Sequence, residues 1–458
     1  MSANIISLAL ELNVMIFSYL DLADIRAVRR TCRAIAVKSR ARFRQLIQPT
    51  QTDLSPTSLR TLLEPAFCDL IQELVVKATV YELSKVPEAP ESWPGEARSM
   101  FSLEDVAQAR ADKEVLRLRR EEQVDAQAAG TDLSMLARLF CQLGTLQALT
   151  IEVAVYQGPR HRLPAQTCTK WSPVWEEGTL TMKTVMAALA QSRLTTRCLK
   201  GYGHPWRCSV LTNDLGDVIQ QNNEKSGLAE ALADVRNLSL CISNRADECH
   251  SWEGKRRYAS DEAVVAGPAN LIGLSPRLEE LFLHYYDLPG GNISYAAIFT
   301  QIGKIGQLAC LRRCTLRGFR VNEDAMIEFL LHCPALEALT LEWIRLEQGL
   351  WRPIFDLISS RLPPIEWLSV NRLLQRKPLL SDHEAVRYQT LQFDHEDGLP
   401  HFDCLGARYE PTFDRQAIRN GIGFYPQRGR PKGSYKSYRD MDTRRLEYGN
   451  ATDKHLLD

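Results

Sequence analysis

The chain lacks a net charge, a long apolar run and a recognisable secretory leader. Lys plus Arg and Asp plus Glu number 56 each, so the composition gives no general attraction to nucleic acid or acidic lipid. No run approaches the ~18 apolar residues of a membrane-spanning helix, and no basic residue precedes the apolar N-terminal stretch. These absences predict a protein without a membrane partner, located in the cytoplasm, the nucleus or both.

Motifs for metals, phosphates and catalytic nucleophiles are also missing. The 12 cysteines do not form the paired short spacings of structural zinc sites, although two small groups lie near His204 and His250. Gly201-Tyr202-Gly203 lacks the third glycine of a dinucleotide fingerprint, and neither a Gly-x-Ser-x-Gly elbow nor a His-Glu-x-x-His motif occurs. We therefore predict no catalytic residue, no metal and no cofactor. The alternative, an enzyme, would need a convergent polar pocket that the sequence does not display.

The first forty or so residues have more apolar side chains than a small helical bundle can bury. At about 100° per residue, two separate apolar stripes run along the first predicted helix. The broad stripe holds Leu8, Leu12, Met15, Ile16, Tyr19 and Leu20, and the second holds Leu10, Val14 and Phe17. Asp21 can cap a second helix, and the bundle should end near Phe43. Because so small a module buries too little surface to be stable alone, another surface should cover the second stripe.

Residues 8–47 resemble an F-box. The family pattern is Leu-Pro-x-Glu-Leu/Ile-x-x-x-Ile-x-x-Tyr-Leu, then Asp-Leu, then Val-x-Arg-x-x-Arg/Lys. The matching residues are Leu8, Glu11, Leu12, Ile16, Tyr19, Leu20, Asp24, Ile25, Val28, Arg30 and Arg33. Two departures are Ala9, in place of the usual proline, and a missing late tryptophan, for which Phe43 is the candidate substitute.

The resemblance implies docking on the Skp-type linker of a cullin-RING ubiquitin ligase, with the rest of the chain holding a protein substrate. By resemblance, the residues that meet the linker include Leu8, Leu12, Ile16, Leu20 and Ile25. The second apolar stripe adds Leu10, Val14 and Phe17. The alternative is that these are the first helices of an ordinary helical domain.

A linker and a connecting helix should follow the N-terminal module. Residues 84–100 are rich in Pro, Glu and Gly, which is typical of a loop. Residues 102–130 are good helix formers, with Ser102 and Asp105 spaced as a capping pair and Gly130 at the end. Their alternating charges indicate a solvated helix, because no apolar heptad is sustained as in a coiled coil.

From residue 133 the phrase Leu-x-x-Leu-x-Leu recurs, as expected for short buried strands. Positions Leu281, Cys314, Leu339 and Leu368 are 33, 25 and 29 residues apart, near the ~20–29 of leucine-rich repeats. The copies lie at 143–153, 235–242, 277–285, 311–319, 335–343 and 364–372, with a degenerate early copy at 72–79.

Helical patterns between these copies, such as 322–333 and 350–362, predict an irregular leucine-rich-repeat-like α/β solenoid. One strand and one helix cannot bury their own apolar face, whereas stacked units share a continuous core. Residues 154–234 contain no clean copy, and no asparagine follows each strand at the usual place. The alternative is an ordinary α/β domain with leucine-rich strands.

Strand alternation predicts which side chains face the core and which face outward. The inward residues are Leu149, Ile151, Leu281, Leu283, Leu316, Leu339 and Leu341. The outward residues, on a concave surface, are Thr150, Glu152, Phe282, His284, Thr315, Arg317, Thr340, Glu342 and Ser369. The predicted substrate-binding residues are the charged and aromatic members Glu152, Phe282, His284, Arg317 and Glu342. The alternative is that these positions are simply solvated.

Arg428-Gly429-Arg430-Pro431 matches the core of an AT-hook, in which Arg-Gly-Arg lies in the narrow minor groove of A·T-rich DNA. Seven Arg or Lys residues accompany two Asp residues between positions 428 and 445, which favours phosphate contacts. This match supports an alternative, a nuclear DNA-associated protein. A solvated basic tail accounts for the same residues, and we expect no nucleic-acid partner.

Four regions are therefore predicted: an F-box-like helical module at 1–48, a linker with a charged connecting helix at 49–132, the solenoid at 133–378, and a polar, basic, partly disordered tail at 379–458. The expected function is substrate recognition for a Skp-cullin-F-box (SCF) type ubiquitin ligase. Its expected partners are the Skp-type linker and an unidentified protein substrate.

Overall fold

The protein has an α/β fold with a mostly parallel sheet, which confirms the predicted class. No helix within the described residues is both long and apolar enough to cross a membrane. The computed structural model describes residues 12, 16, 27, 45–49, 71–81, 103–156, 162–163, 172–202, 208–223, 227–243, 262–285, 296–306, 308–360, 365–376, 388–393, 412–422 and 424–426.

Strands and helices alternate through most of the described chain. The strands are β1 Gln45–Pro49, β2 Glu73–Tyr81, β3 Leu146–Tyr156, β4 Arg162–Leu163, β5 Thr196–Gly201, β6 Val210–Leu211, β7 Asn237–Ser243, β8 Glu280–Tyr285, β9 Arg313–Arg317, β10 Arg320–Asn322, β11 Ala338–Glu342, β12 Arg345–Gln348, β13 Trp367–Asn371, β14 Leu374–Arg376, β15 Tyr388–Phe393, β16 Thr412–Asp414 and β17 Phe424–Pro426. The helices are α1 Leu103–Ala128, α2 Thr131–Gln142, α3 Ser172–Ser192, α4 Thr212–Asn223, α5 Gly227–Leu232, α6 Glu262–Gly273, α7 Ala296–Lys304, α8 Glu323–Leu331, α9 Trp351–Ser360 and α10 Arg415–Asn420.

The main strands lie side by side in the order in which they occur in the chain. The large sheet has the order β1-β2-β3-β5-β7-β8-β9-β11-β13-β16, with β4 beside β3 and β6 beside β7. Its neighbours are parallel, except that β4 and β16 pair antiparallel with β3 and β13. A smaller sheet has the order β10-β12-β14-β15-β17. Because β1 and β2 belong to the large sheet, the sheet begins earlier in the chain than residue 133.

The register of the sheet follows the leucine phrase. Leu281 lies opposite Cys314, Cys314 opposite Leu339, and Leu339 opposite Leu368, the four positions compared by their spacing in the sequence. All seven predicted inward residues are buried in one hydrophobic cluster. The cluster includes helix residues such as Phe329 of α8 and Ile354 of α9, so alternate strand residues share one core with the helices.

Three neighbouring strands of the large sheet are each followed by a residue with positive φ. Gly318, Trp343 and Arg372 follow β9, β11 and β13, with φ of 79°, 57° and 52°. The Gly318 N–H donates to Glu342 O at 2.9 Å, and the Trp343 N–H donates to Asn371 O at 2.8 Å. Each of these residues turns the chain from the large sheet into a short strand of the small sheet. The left-handed conformation is unfavourable for Trp and Arg, and at Trp343 the backbone bond to Asn371 helps to hold it.

Two predicted helices between the repeats are present as α8 and α9, and the charged segment forms α1. Most of α1 is exposed, as expected for a solvated helix, but Leu116 and Gln123 are buried. Strand β5 was not predicted, because it lies in the stretch without a clean repeat copy. That strand, Thr-Arg-Cys-Leu-Lys-Gly, has a single leucine, Leu199, which lies opposite Leu149 of β3.

Candidate protein-binding face

The side of the large sheet opposite the leucine-rich core forms the candidate site. We call it the outer face and define it by the predicted outward residues: Thr150, Glu152, Phe282, His284, Thr315, Arg317, Thr340, Glu342 and Ser369. Parallel pairing places Phe282, Thr315, Thr340 and Ser369 in one row across β8, β9, β11 and β13. His284, Arg317 and Glu342 form the next row towards the carboxyl ends of the strands.

Charges on this face are paired across neighbouring strands. Arg317 Nη1 lies 3.6 Å from Glu342 Oε2, and their side chains are only 14% and 18% exposed. Lys77 Nζ lies 3.0 Å from Glu152 Oε2, and Glu152 remains about half exposed. Cross-strand pairs of opposite charge are favourable. Glu152 is therefore accessible to a partner, whereas Arg317 and Glu342 are largely covered.

His284 was predicted as an accessible substrate-binding residue, and this prediction is wrong. Its side chain is fully buried, and Nδ1 lies 3.7 Å from the Sγ of Cys241 on β7. Burial lowers the pKa of His284 well below its usual range, and the nearby Arg317 acts in the same direction. Burial likewise raises the pKa of the Cys241 thiol. Both groups are thus neutral near pH 7, so this is not an activated Cys–His pair.

The other predicted residues of the outer face differ in their exposure. Phe282 is partly buried and packs against the hydrophobic core, while Thr315 and Thr340 are partly exposed. Ser369 is buried, with 6% of its surface exposed. Alternation places these residues on one face, but their accessibility depends on what packs against them.

A second feature at the carboxyl edge was missed by the sequence analysis. The Arg372 guanidinium carbon lies 4.1 Å from the centroid of the Trp343 ring, a cation–π contact between two residues with positive φ. Each follows directly after a leucine-phrase strand. The position directly after a leucine-phrase strand was the one signal in the sequence for these two turns. Neither Trp nor Arg as a residue type indicates a left-handed turn.

The amino edge of the sheet has charges that neutralise one another. Arg236 pairs with Glu279 at 2.9 Å and Arg312 with Glu337 at 3.2 Å, between the chain segments that enter successive strands. These side chains are 39–61% exposed, and such pairs contribute little to stability. This edge therefore presents alternating charge rather than a basic or acidic patch.

The contrast between two arginine–glutamate pairs gives a quantitative prediction. In double-mutant cycles with alanine, we expect a coupling free energy of ~1–2 kcal/mol for Arg317 and Glu342, because water is largely excluded from that pair. The exposed pair Arg312 and Glu337 joins the segments that precede the same two strands, and we expect it to couple by under ~0.5 kcal/mol. Chemical denaturation of the four variants in each cycle measures both values. Equal coupling in the two pairs would contradict the difference in burial.

The remaining predicted site residues lie mostly outside the described part of the chain. Leu12 and Ile16 are helical, and Leu12 is 45% exposed while Ile16 is partly buried. The predicted positions outside the described residues are Leu8, Leu10, Val14, Phe17, Leu20, Ile25, Arg428, Gly429, Arg430 and Pro431.

Within the ranges that the structure describes, no three His, Cys, Asp or Glu side chains are grouped as a metal site would require. A scan against protein-family models and a search of curated proteins found no match to this chain.

Proposed function

We propose that this protein is a substrate-recognition adaptor of an SCF-type ubiquitin ligase. The observation that carries the proposal is the F-box-like pattern at residues 8–47, in which Leu, Glu, Ile, Tyr, Asp and Arg residues recur at the family's spacing. In this proposal the N-terminal residues form a helical bundle that binds a Skp-type linker, and the sheet region binds a protein substrate. The proposed place of action is the cytoplasm, the nucleus or both.

We further propose that the sheet region is an irregular leucine-rich-repeat-like solenoid. Chain-ordered parallel strands with helices between them support this interpretation, as does the positive-φ turn after β9, β11 and β13. Each such unit leaves an apolar face that only the next unit can cover. Repeated strands of this kind offer a continuous row of side chains to a protein ligand.

The proposed adaptor performs no chemistry of its own. Joining a substrate to the ligase converts ubiquitin transfer from a bimolecular encounter into an effectively intramolecular one, which raises the local concentration of the acceptor lysine. On the substrate side, Glu152 is an accessible charge and Phe282 a partly exposed aromatic, both on the outer face. They are the residues with which a substrate would make contact.

The exposure of Leu12 supports a partner surface at the N-terminus. A leucine that is 45% exposed on a helix leaves apolar area in contact with water, and burying it against a partner is favourable by about 25 cal/mol per Å². The second apolar stripe, Leu10, Val14 and Phe17, extends that area in the sequence pattern.

Co-purification with the Skp-type linker tests the proposal. We expect full-length wild type to recover the linker and the double variant Leu12→Asp plus Ile16→Asp to lose it, because two buried carboxylates would prevent docking of an apolar helix face. The matched control is Leu118→Asp plus Val124→Asp on α1, where both side chains are 46–55% exposed. The control should retain the linker.

Circular dichroism and thermal unfolding of the same preparations establish that the variants are folded. Equal linker recovery by wild type and by the Leu12/Ile16 variant would overturn the proposal. Failure of wild type to bind any Skp-type linker would overturn it as well.

A further inference from the structure

Two carboxylates lie together where α1, α2, α3 and the end of β2 meet. Asp132, in the first turn of α2, is 6% exposed, and its Oδ1 is buried without a hydrogen-bond partner. Glu177 of α3 is partly buried and accepts from Gln127 Nε2 of α1, at 3.1 Å to one carboxylate oxygen and 3.2 Å to the other. Asp132 and Glu177 are close enough to act on each other electrostatically.

These contacts attach the C-terminal half of α1 to the rest of the fold. Besides the bond from Gln127 to Glu177, Gln123 Nε2 donates to the backbone oxygen of Thr79 on β2 at 3.0 Å. Leu116, two turns earlier on α1, is fully buried. Much of the remaining helix surface is charged and exposed. The attachment of α1 therefore depends on a few side chains, and the acceptor of the Gln127 bond is the titratable side chain of Glu177.

The groups that face Glu177 are amides, an acid and a phenol. They are Gln123 and Gln127 from α1, Asp132 from α2 and Tyr202, which follows β5. The basic residue of β2, Lys77, pairs with Glu152 at 3.0 Å.

Three other acids on α1 and α3 are exposed to solvent, namely Glu122 and Asp125 of α1 and Glu176 of α3. The pair Asp132 and Glu177 is thus distinguished from its neighbours by burial next to another acid, an arrangement that favours the protonated form.

The direction of the pH effect follows from these surroundings. Burial raises the pKa of Asp132 from 3.8 to about 6. Burial also raises the pKa of Glu177 from 4.5 to about 7; the hydrogen bonds from Gln127 and Gln123 oppose this rise, and the nearby Asp132 adds to it. Groups whose pKa is raised by folding bind protons more tightly in the folded state. Their stabilising effect is complete below about pH 4, their ordinary range, and is lost as the pH rises through 6 and 7.

We propose that Asp132 and Glu177 form a proton-dependent latch that holds the C-terminal half of α1 on the fold, tightly in mild acid and loosely in mild alkali. When Glu177 is neutral it still accepts from Gln127, and repulsion from Asp132 disappears. When both acids are charged, solvation of the carboxylates favours detachment of α1. This inference is independent of the proposed adaptor function.

Hydrogen exchange of the full-length protein tests the latch. After correction for the intrinsic pH dependence of exchange, we expect protection of residues 103–128 to fall about tenfold or more between about pH 5.5 and about pH 8. Helix α9, residues 351–360, packs in the core far from these acids in the sequence and serves as the internal reference. Its corrected protection should change much less.

Isosteric variants separate the latch from general pH effects. Glu177→Gln keeps an acceptor for Gln127 but cannot titrate, so the pH dependence in α1 should be largely lost. Asp132→Asn should reduce the pH dependence of α1 protection. Glu176→Gln, at the exposed neighbour of Glu177, should leave that pH dependence as in wild type. The proposal is overturned if α1 protection does not change with pH, or if Glu177→Gln and Asp132→Asn both retain the full wild-type dependence. Release of α1 by EDTA at constant pH would also overturn it, in favour of a bound cation.

Discussion

Replacing Gly318 with alanine should destabilise the protein by ~3 kcal/mol or more, the largest effect that we expect from a single methyl group. Gly318 has a φ of 79°, where a Cβ is unfavourable, and a Cβ built there would lie 2.1 Å from the backbone oxygen of Tyr285. Tyr285 ends β8, so relieving the clash requires β8 and β9 to move apart. The Gly318 N–H also donates to the backbone oxygen of Glu342 on β11. This bond restricts movement of Gly318 away from Tyr285.

The matched control for this variant is Gly144→Ala. Gly144 precedes β3, and a Cβ built there meets no atom within 4 Å. We expect a change within ~0.5 kcal/mol, or a slight gain from the reduced freedom of the unfolded chain. Urea unfolding followed by tryptophan fluorescence compares the two midpoints. Similar midpoints for both variants would show that the turn after β9 tolerates a side chain.

The second large effect is expected for Phe299→Ala, at ~3–5 kcal/mol, because a fully buried aromatic ring would leave a cavity. Phe299 of α7 makes edge-on contacts with Phe319, at 5.0 Å between ring centroids, and with Phe329 of α8, at 5.5 Å. Phe319 also contacts Tyr285 at the end of β8, at 5.8 Å. Loss of Phe299 therefore weakens the packing between two helices and the segment that joins the two sheets.

Phe282→Ala is the control for this substitution, since it removes the same ring from the outer face. Phe282 is only partly buried, so we expect a loss of ~1 kcal/mol. Thermal and chemical unfolding of the two variants give the comparison. If Phe282→Ala were as destabilising as Phe299→Ala, the outer face would be part of the main core and not an available surface.

Much of the sheet could be predicted from the sequence because the leucine phrase is local. Buried alternation specifies both a strand and the side that it buries, so Leu281, Cys314, Leu339 and Leu368 could be aligned from the repeated phrase alone. The same reasoning failed for β5, where Leu199 is the sole leucine of the strand. The N-terminal module and the AT-hook-like segment stay predictions, since nearly all of their residues lie outside the described ranges.

The candidate site was less predictable than the sheet. Alternation gave the correct face for Glu152, Arg317 and Glu342, but it could not show that His284 is buried against Cys241. Nor did residue type indicate the positive φ of Trp343 and Arg372, which is held by neighbouring strands and by their mutual contact.

The sequence by itself determined the α/β class, the seven leucine-phrase strands of the large sheet and the inward leucines, because hydrophobic periodicity acts between residues a few positions apart. Only the tertiary structure decided which outward residues reach solvent, where the chain turns between sheets, and that Asp132 and Glu177 meet beside α1. Those properties depend on groups brought together from distant parts of the chain, whose separation along the sequence gives no information about their distance in space.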